Sequence, residues 1–205
     1  KIEKINEATT RGLSLQLYVD GRYSQVSSSD LRPEALSTFI ADSVTMTRVL
    51  SEDPFRALPE PALYEGRASV DLQLDDPAYP TVTPEQRRKA AQQMEEAARA
   101  VKGSEAILSV STGFDDTRTE SFRVASNGFE GTRIDTVFFV SASVSVKDAD
   151  GRRPEDYSFG GARFLGEVPA TAVVGREAAE RAISRLGAKK PPSAVVTLVI
   201  DNRAA

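Results

Sequence analysis

Apolar residues fall at every second position in two stretches of this chain and at helical spacing in three others. Leu13, Leu15, Leu17 and Val19 share the strand period. Asp20-Gly21 follows at once and suits a type I′ turn, whose two central residues both take positive φ, so residues 22–27 are expected to return as a second strand. Phe138, Val140, Ala142, Val144 and Val146 repeat the alternation within 133–147, while Ser141, Ser143 and Ser145 occupy the opposite face. One buried face and one polar face is the pattern of an antiparallel sheet. Residues 105–112, 118–126 and 156–164 read as further strands, with Asn127-Gly128 and Asp150-Gly151 turning the chain.

The helical stripes lie between these strands. Ser29 or Asp30 is expected to cap a helix with Pro33 in its first turn and Leu36, Phe39, Ile40, Val44 and Thr47 inward. Thr83-Pro84-Glu85-Gln86 opens a second helix with a capping box; it runs to about Val101, and Gly103 follows it. Its stripe of Ala90, Ala91, Met94, Ala97, Ala98 and Val101 is thin, which calls for a close neighbour. A third helix covers residues 171–186. Between the first two helices, prolines 54, 59, 61, 77, 80 and 84 break up everything except a short strand at 68–74. The sum is an α+β fold, an antiparallel meander with two or three helices packed against it. A short alternating segment at 2–6 precedes the first strand. At the other end, Val195–Arg203 reads as a strand that stops as it starts, and Lys1 stands where Met would begin a chain. The expected division is therefore an amino-terminal domain over 1–190, then a linker and the first strand of a truncated carboxy-terminal domain over 191–205.

Composition narrows the chemistry. The 205 residues contain no His and no Cys, which removes imidazole-based zinc sites, Ser-His-Asp triads, thiol nucleophiles and disulfides. A net charge of −4 gives no electrostatic reason for nucleic acid or an anionic membrane. No apolar run approaches bilayer length. The absence of Cys fits a reducing compartment, and a cytoplasmic location is expected.

Each remaining candidate site has a simpler account. Asp148-Ala149-Asp150-Gly151 begins like a calcium loop, but Arg152-Arg153-Pro154 occupies the place of later ligands, so a hairpin turn explains it better. Asp75-Asp76 and Asp115-Asp116 could pair for acid–base work, although adjacent acids in loops are usually solvated. Ser27-Ser28-Ser29 precedes a helix and reads as a cap. Asn127-Gly128-Phe129-Glu130-Gly131 lies between strands, where no helix amino end can cradle phosphate. Lys189-Lys190 ends a helix favourably. No catalytic, cofactor-binding or metal-ligating residue is assigned.

Several segments, taken in order, resemble one family. They are Ile2-Glu3-Lys4-Ile5, Arg11-Gly12-Leu13, Val19-Asp20-Gly21-Arg22-Tyr23, residues 27–31 with Pro33-Glu34-Ala35-Leu36, Asp53-Pro54-Phe55 and Asp75-Asp76-Pro77. Ser126-Asn127-Gly128-Phe129, Asp156-Tyr157, Ala162-Arg163 and the run Val174-Gly175-Arg176-Glu177-Ala178-Ala179-Glu180-Arg181-Ala182 complete the series. Together they are similar to the amino-terminal region of the TldD/TldE (PmbA) family. The stretch 174–186 and Val199-Ile200-Asp201-Asn202-Arg203 look more like the TldE/PmbA half. The resemblance implies a heterodimeric, cytoplasmic metalloprotease that trims peptide precursors or degrades an antitoxin, once described as a modulator of DNA gyrase. In that picture a TldD-like catalytic subunit holds zinc or another divalent metal on an HExxxH helix. TldE is the metal-free accessory subunit that helps enclose an unfolded or modified peptide substrate. No metal ligand transfers to a position of this chain. The other reading is a stand-alone peptide- or protein-binding module that presents the serine-rich face of the long strand.

Overall fold

A computed structural model describes residues 4–201. They fall into two compact units, one of residues 4–72 with Ser121–Arg133, the other of Gln73–Glu120 with residues 134–201.

In the first unit, β1 (Leu13–Val19) and β2 (Arg22–Ser28) form an antiparallel pair in the register Leu13↔Ser28 to Val19↔Arg22. Asp20 (φ 49°) and Gly21 (φ 72°) make the expected type I′ turn. Helix α1 (Pro33–Arg48) packs on this hairpin, where the Ser24 and Thr47 hydroxyls lie 2.6 Å apart. The expected cap is corrected: Arg32 occupies the N-cap position without a side-chain bond, because Asp30 turns its carboxylate to the Arg32 backbone N–H and guanidinium. The stripe shifts as well. Ser43 is buried, its hydroxyl donating to the Phe39 carbonyl, while Ile40 is exposed. No hydrophobic side chain of this unit is fully buried among the described residues.

The second unit holds the core. Helix α2 (Pro84–Arg99) starts with the expected capping box: the Thr83 hydroxyl accepts from the Gln86 N–H at 3.2 Å, and the Gln86 side chain accepts from the Thr83 N–H at 2.7 Å. A three-stranded antiparallel sheet follows in the order β3 (Ile107–Val124), β4 (Glu130–Val146), β5 (Glu155–Ala162). Helix α3 (Thr171–Ser184) packs against α2 and β5. Phe138, Val140, Ala142, Val144 and Val146 alternate inward from β4, and the last four pack with Met94, Ala98, Val174, Ala178, Ala179 and Ala182. The small residues of α2 do bring a helix close. A Cβ placed on Gly175 of α3 would overlap the Met94 carbonyl oxygen.

Four expected strands change. Residues 105–112 and 118–126 are not separate strands; β3 runs unbroken from Ile107 to Val124, and only its far end, from Ser121, groups with the first unit. Gly113 and Asp115-Asp116 lie within that strand, where Asp116 is neutralised by Arg87. Residues 68–74 form no strand; single 3₁₀ turns at Pro61–Tyr64 and Tyr79–Thr81 punctuate the proline-rich crossing instead. Residues 190–201 have no regular structure, so the strand expected at 195–203 is not formed among the described residues. Asn202 and Arg203 lie outside the described residues, as do Ile2 and Glu3 of the early segment; residues 4–10 form no strand.

Candidate binding face

Three carboxylates of the acidic pairs singled out in the sequence, Asp75, Asp76 and Asp116, are spent on structure, while Asp115 is exposed. Asp116 of β3 accepts two bonds from Arg87 of α2, at 2.5 and 3.0 Å, and a further one from the Tyr79 hydroxyl. Burial pushes the Asp116 carboxyl up, but the bonds from Arg87 and Tyr79 and the guanidinium charge outweigh it and hold the pKa below the usual range. Burial, with the Asp116 carboxylate beside it, raises Tyr79 above an ordinary phenol. Asp75 pairs with Arg118 at 3.0 and 2.9 Å. Asp76 accepts from the Ala78 and Leu165 N–H groups, both at 2.8 Å.

The other candidates resolve similarly. Asp148 is buried and accepts from the Ala149 and Gly187 N–H groups and from Arg152, while Gly151 (φ 86°) completes the turn. The Ser28 hydroxyl accepts from the Asp30 N–H. Asn127 donates to the Pro59 carbonyl and the Tyr64 hydroxyl and caps the Phe129 N–H, so the glycine-rich segment is a fastened turn. Among the described residues no three His, Cys, Asp or Glu side chains come together in a way that could hold a metal ion. The donor set that the resemblance implies does not fit these residues.

What is left open is the outer face of the three-stranded sheet. A shallow groove of about 310 Å³ runs across it, lined by Ser111, Gly113, Phe139, Ser141, Tyr157 and Phe159 among others. Ser141 faces Phe159 and Ser143 faces Tyr157 across the β4–β5 register. Phe159 stacks with Phe139 at 5.6 Å and with Tyr157 at 5.8 Å between ring centroids. These rings are 37–48% exposed, although stacked aromatics usually bury more of their surface. Two consecutive glycines make room for the arrangement. A Cβ on Gly161 would meet the Phe139 ring, and one on Gly160, facing the other way, would overlap Pro169. Gly113 lies under both the Ser141 hydroxyl and the Asp115 carboxylate.

The free margin of β5 is closed by side chains. Arg181 of α3 donates to the Tyr157 carbonyl at 3.0 Å, and Asp156 accepts from the Tyr157 N–H at 2.8 Å. The serine row was legible from alternation in β4. The aromatic wall was not, although Tyr157 and Phe159 stand two apart on β5 and Phe139 continues the serine row.

The second unit is an antiparallel meander covered on one side by two tightly apposed helices, an α+β architecture. The family model of the PmbA/TldA metallopeptidase central domain matches residues 77–186, and the chain belongs to that family. It is 24% identical to the metalloprotease PmbA of Escherichia coli O157:H7 over 206 aligned positions, which take in the whole chain and 44% of PmbA. A solved structure of a candidate modulator of DNA gyrase from Bacteroides thetaiotaomicron is similar at a TM-score of 0.85 and 32% identity, over 92% of this chain and 42% of that one. TldE from Thermococcus kodakarensis shares the fold, at a TM-score of 0.62 and 15% identity over 89% of this chain and 39% of that one. The chain thus spans less than half the length of the relatives it matches. No helix among the described residues is long and apolar enough to cross a membrane.

Proposed function

We propose that this chain is the amino-terminal part of a TldE/PmbA-type subunit and acts as the non-catalytic scaffold of a metal-dependent peptidase. The observation that carries this reading is the central-domain match over residues 77–186 in a chain with no His or Cys at all. A peptidase metal needs a donor set that these residues do not offer, so in this reading the catalytic metal belongs to a TldD-like partner subunit or to a segment outside these 205 residues. The first unit supports a role in assembly. It leaves Met46, Val49, Leu63, Phe122 and Val124 exposed, with Phe55 at 94%, apolar side chains that a partner subunit would cover. The substrate is an unfolded or modified peptide, and the site of action is the cytoplasm. In this reading residues 1–190 are one functional portion.

Reconstitution tests the proposal. The chain alone should not hydrolyse a generic fluorogenic peptide with zinc present, and a TldD-like partner should restore chelator-sensitive cleavage. Cleavage by the chain alone would overturn the division of labour. A stand-alone binding module is the second reading, and the bare aromatic groove favours it. Under it the chain would hold a peptide while showing no association with a TldD-like protein.

A further inference from the structure

We infer that the outer sheet face is a docking site for an extended peptide carrying an arginine or lysine side chain. Three features of the second unit converge on that occupant. The groove is walled on one side by Phe139, Phe159 and Tyr157, whose stacked rings present π surface to whatever lies across β4. Beside the lining residue Gly113, two positions along β3, stands Asp115, whose carboxylate oxygen lies 3.4 Å from the Cβ position of that glycine. Between them the floor is Gly113 and Ser141, too small to fill the space.

The charge on the face has one sign. No Lys or Arg lines the groove, and Glu155, bonded to Ser143 at 2.5 Å, adds a second carboxylate at its edge. The other aspartates of this part of the sheet are neutralised: Asp116 by Arg87, Asp75 by Arg118 and Asp156 by Arg185. Asp115 and the Ser141 hydroxyl have no hydrogen bond or ion pair among the described residues. A guanidinium on a long apolar stem matches these groups in order. Its stem lies over Gly113 and Ser141, its plane stacks on an aromatic face, and its charge meets Asp115. An acidic peptide would meet like charge with no counter-ion. An extended backbone fits because the face is a pleated surface with sites at alternate positions.

The inference concerns binding alone, so it stands whether or not the peptidase reading holds. Its test is fluorescence anisotropy on the whole chain, without partner or metal. The probe is a fluorescein-labelled peptide of alternating Ser and Val with one central Arg, against the same peptide with citrulline in place of Arg. The Arg peptide should bind about tenfold more tightly at low salt, and Asp115→Asn should reduce it to the citrulline level. Asp115 is exposed, so that variant leaves the fold intact. Phe159→Ser should weaken both peptides. Equal affinity for the two peptides, an unchanged affinity in Asp115→Asn, or no binding to the chain would each overturn the inference.

Discussion

Gly175 of α3 rests directly on the backbone of Met94 in α2, so close that a single added carbon would overlap the Met94 carbonyl oxygen. This contact sets the separation of the two helices that cover the sheet, with Met94, Ala98, Val174 and Ala178 buried around it. A carbonyl in a helix cannot swing aside as a side-chain tip can, so the helices must part if anything larger than hydrogen occupies position 175. Gly175→Ala should therefore cost about 2–3 kcal/mol despite the better helix propensity of alanine. Thermal unfolding should show a fall of about 4–12 °C, at roughly 2–4 °C per kcal/mol for a chain of this size. An unchanged or raised melting temperature would contradict the packing described.

The Tyr79–Asp116–Arg87 cluster should leave a mark on the pH dependence of stability. The Asp116 pKa is lower in the folded chain than in the unfolded one, so its contribution is present above about pH 4 and is lost as pH falls through the folded value. Tyr79 is raised, so its contribution is present below about pH 10 and is lost as pH rises past the folded value. Between those limits Asp116→Asn should cost about 1–3 kcal/mol, less than a fully buried pair because Arg87 is partly exposed. Denaturant titrations at neutral and acidic pH check this: the loss should shrink as pH falls. A constant difference across the acid range would show that the carboxylate charge is not what stabilises the cluster.

Local chemistry was the most legible level of this sequence. Asp20-Gly21 named its turn and Thr83 to Gln86 named its capping box, because both signals lie within four residues of chain. The inward row from Phe138 to Val146 was readable because β4 is buried on one face only. Errors came where a side-chain partner decides. The break expected between 112 and 118 is bridged by β3, in which Asp116 pairs with Arg87, 29 positions away. Asp30 was a plausible cap until its neighbour Arg32 took its carboxylate. The groove was half visible. Its serines alternate in one strand, but its aromatic wall needs the β4–β5 register, which no local pattern supplies.

Thr83 offers the simplest check on a helix terminus. Its hydroxyl satisfies the Gln86 N–H, one of the donors that a helix start leaves unpaired. Thr83→Ala should cost about 1 kcal/mol, and Thr83→Ser should recover most of it. Chemical denaturation with an unchanged m-value would report a pure stability effect. Equal stability of the alanine and serine variants would show that the hydroxyl contributes nothing.

The central claim is that the peptidase metal is held elsewhere than in this chain. Zinc titration of the purified chain, followed by calorimetry and by elemental analysis after gel filtration, tests it most directly. The account predicts no retained zinc and no saturable heat. One tightly held zinc per chain, lost on replacing carboxylates such as Asp75, Asp76 or Asp115, would contradict it.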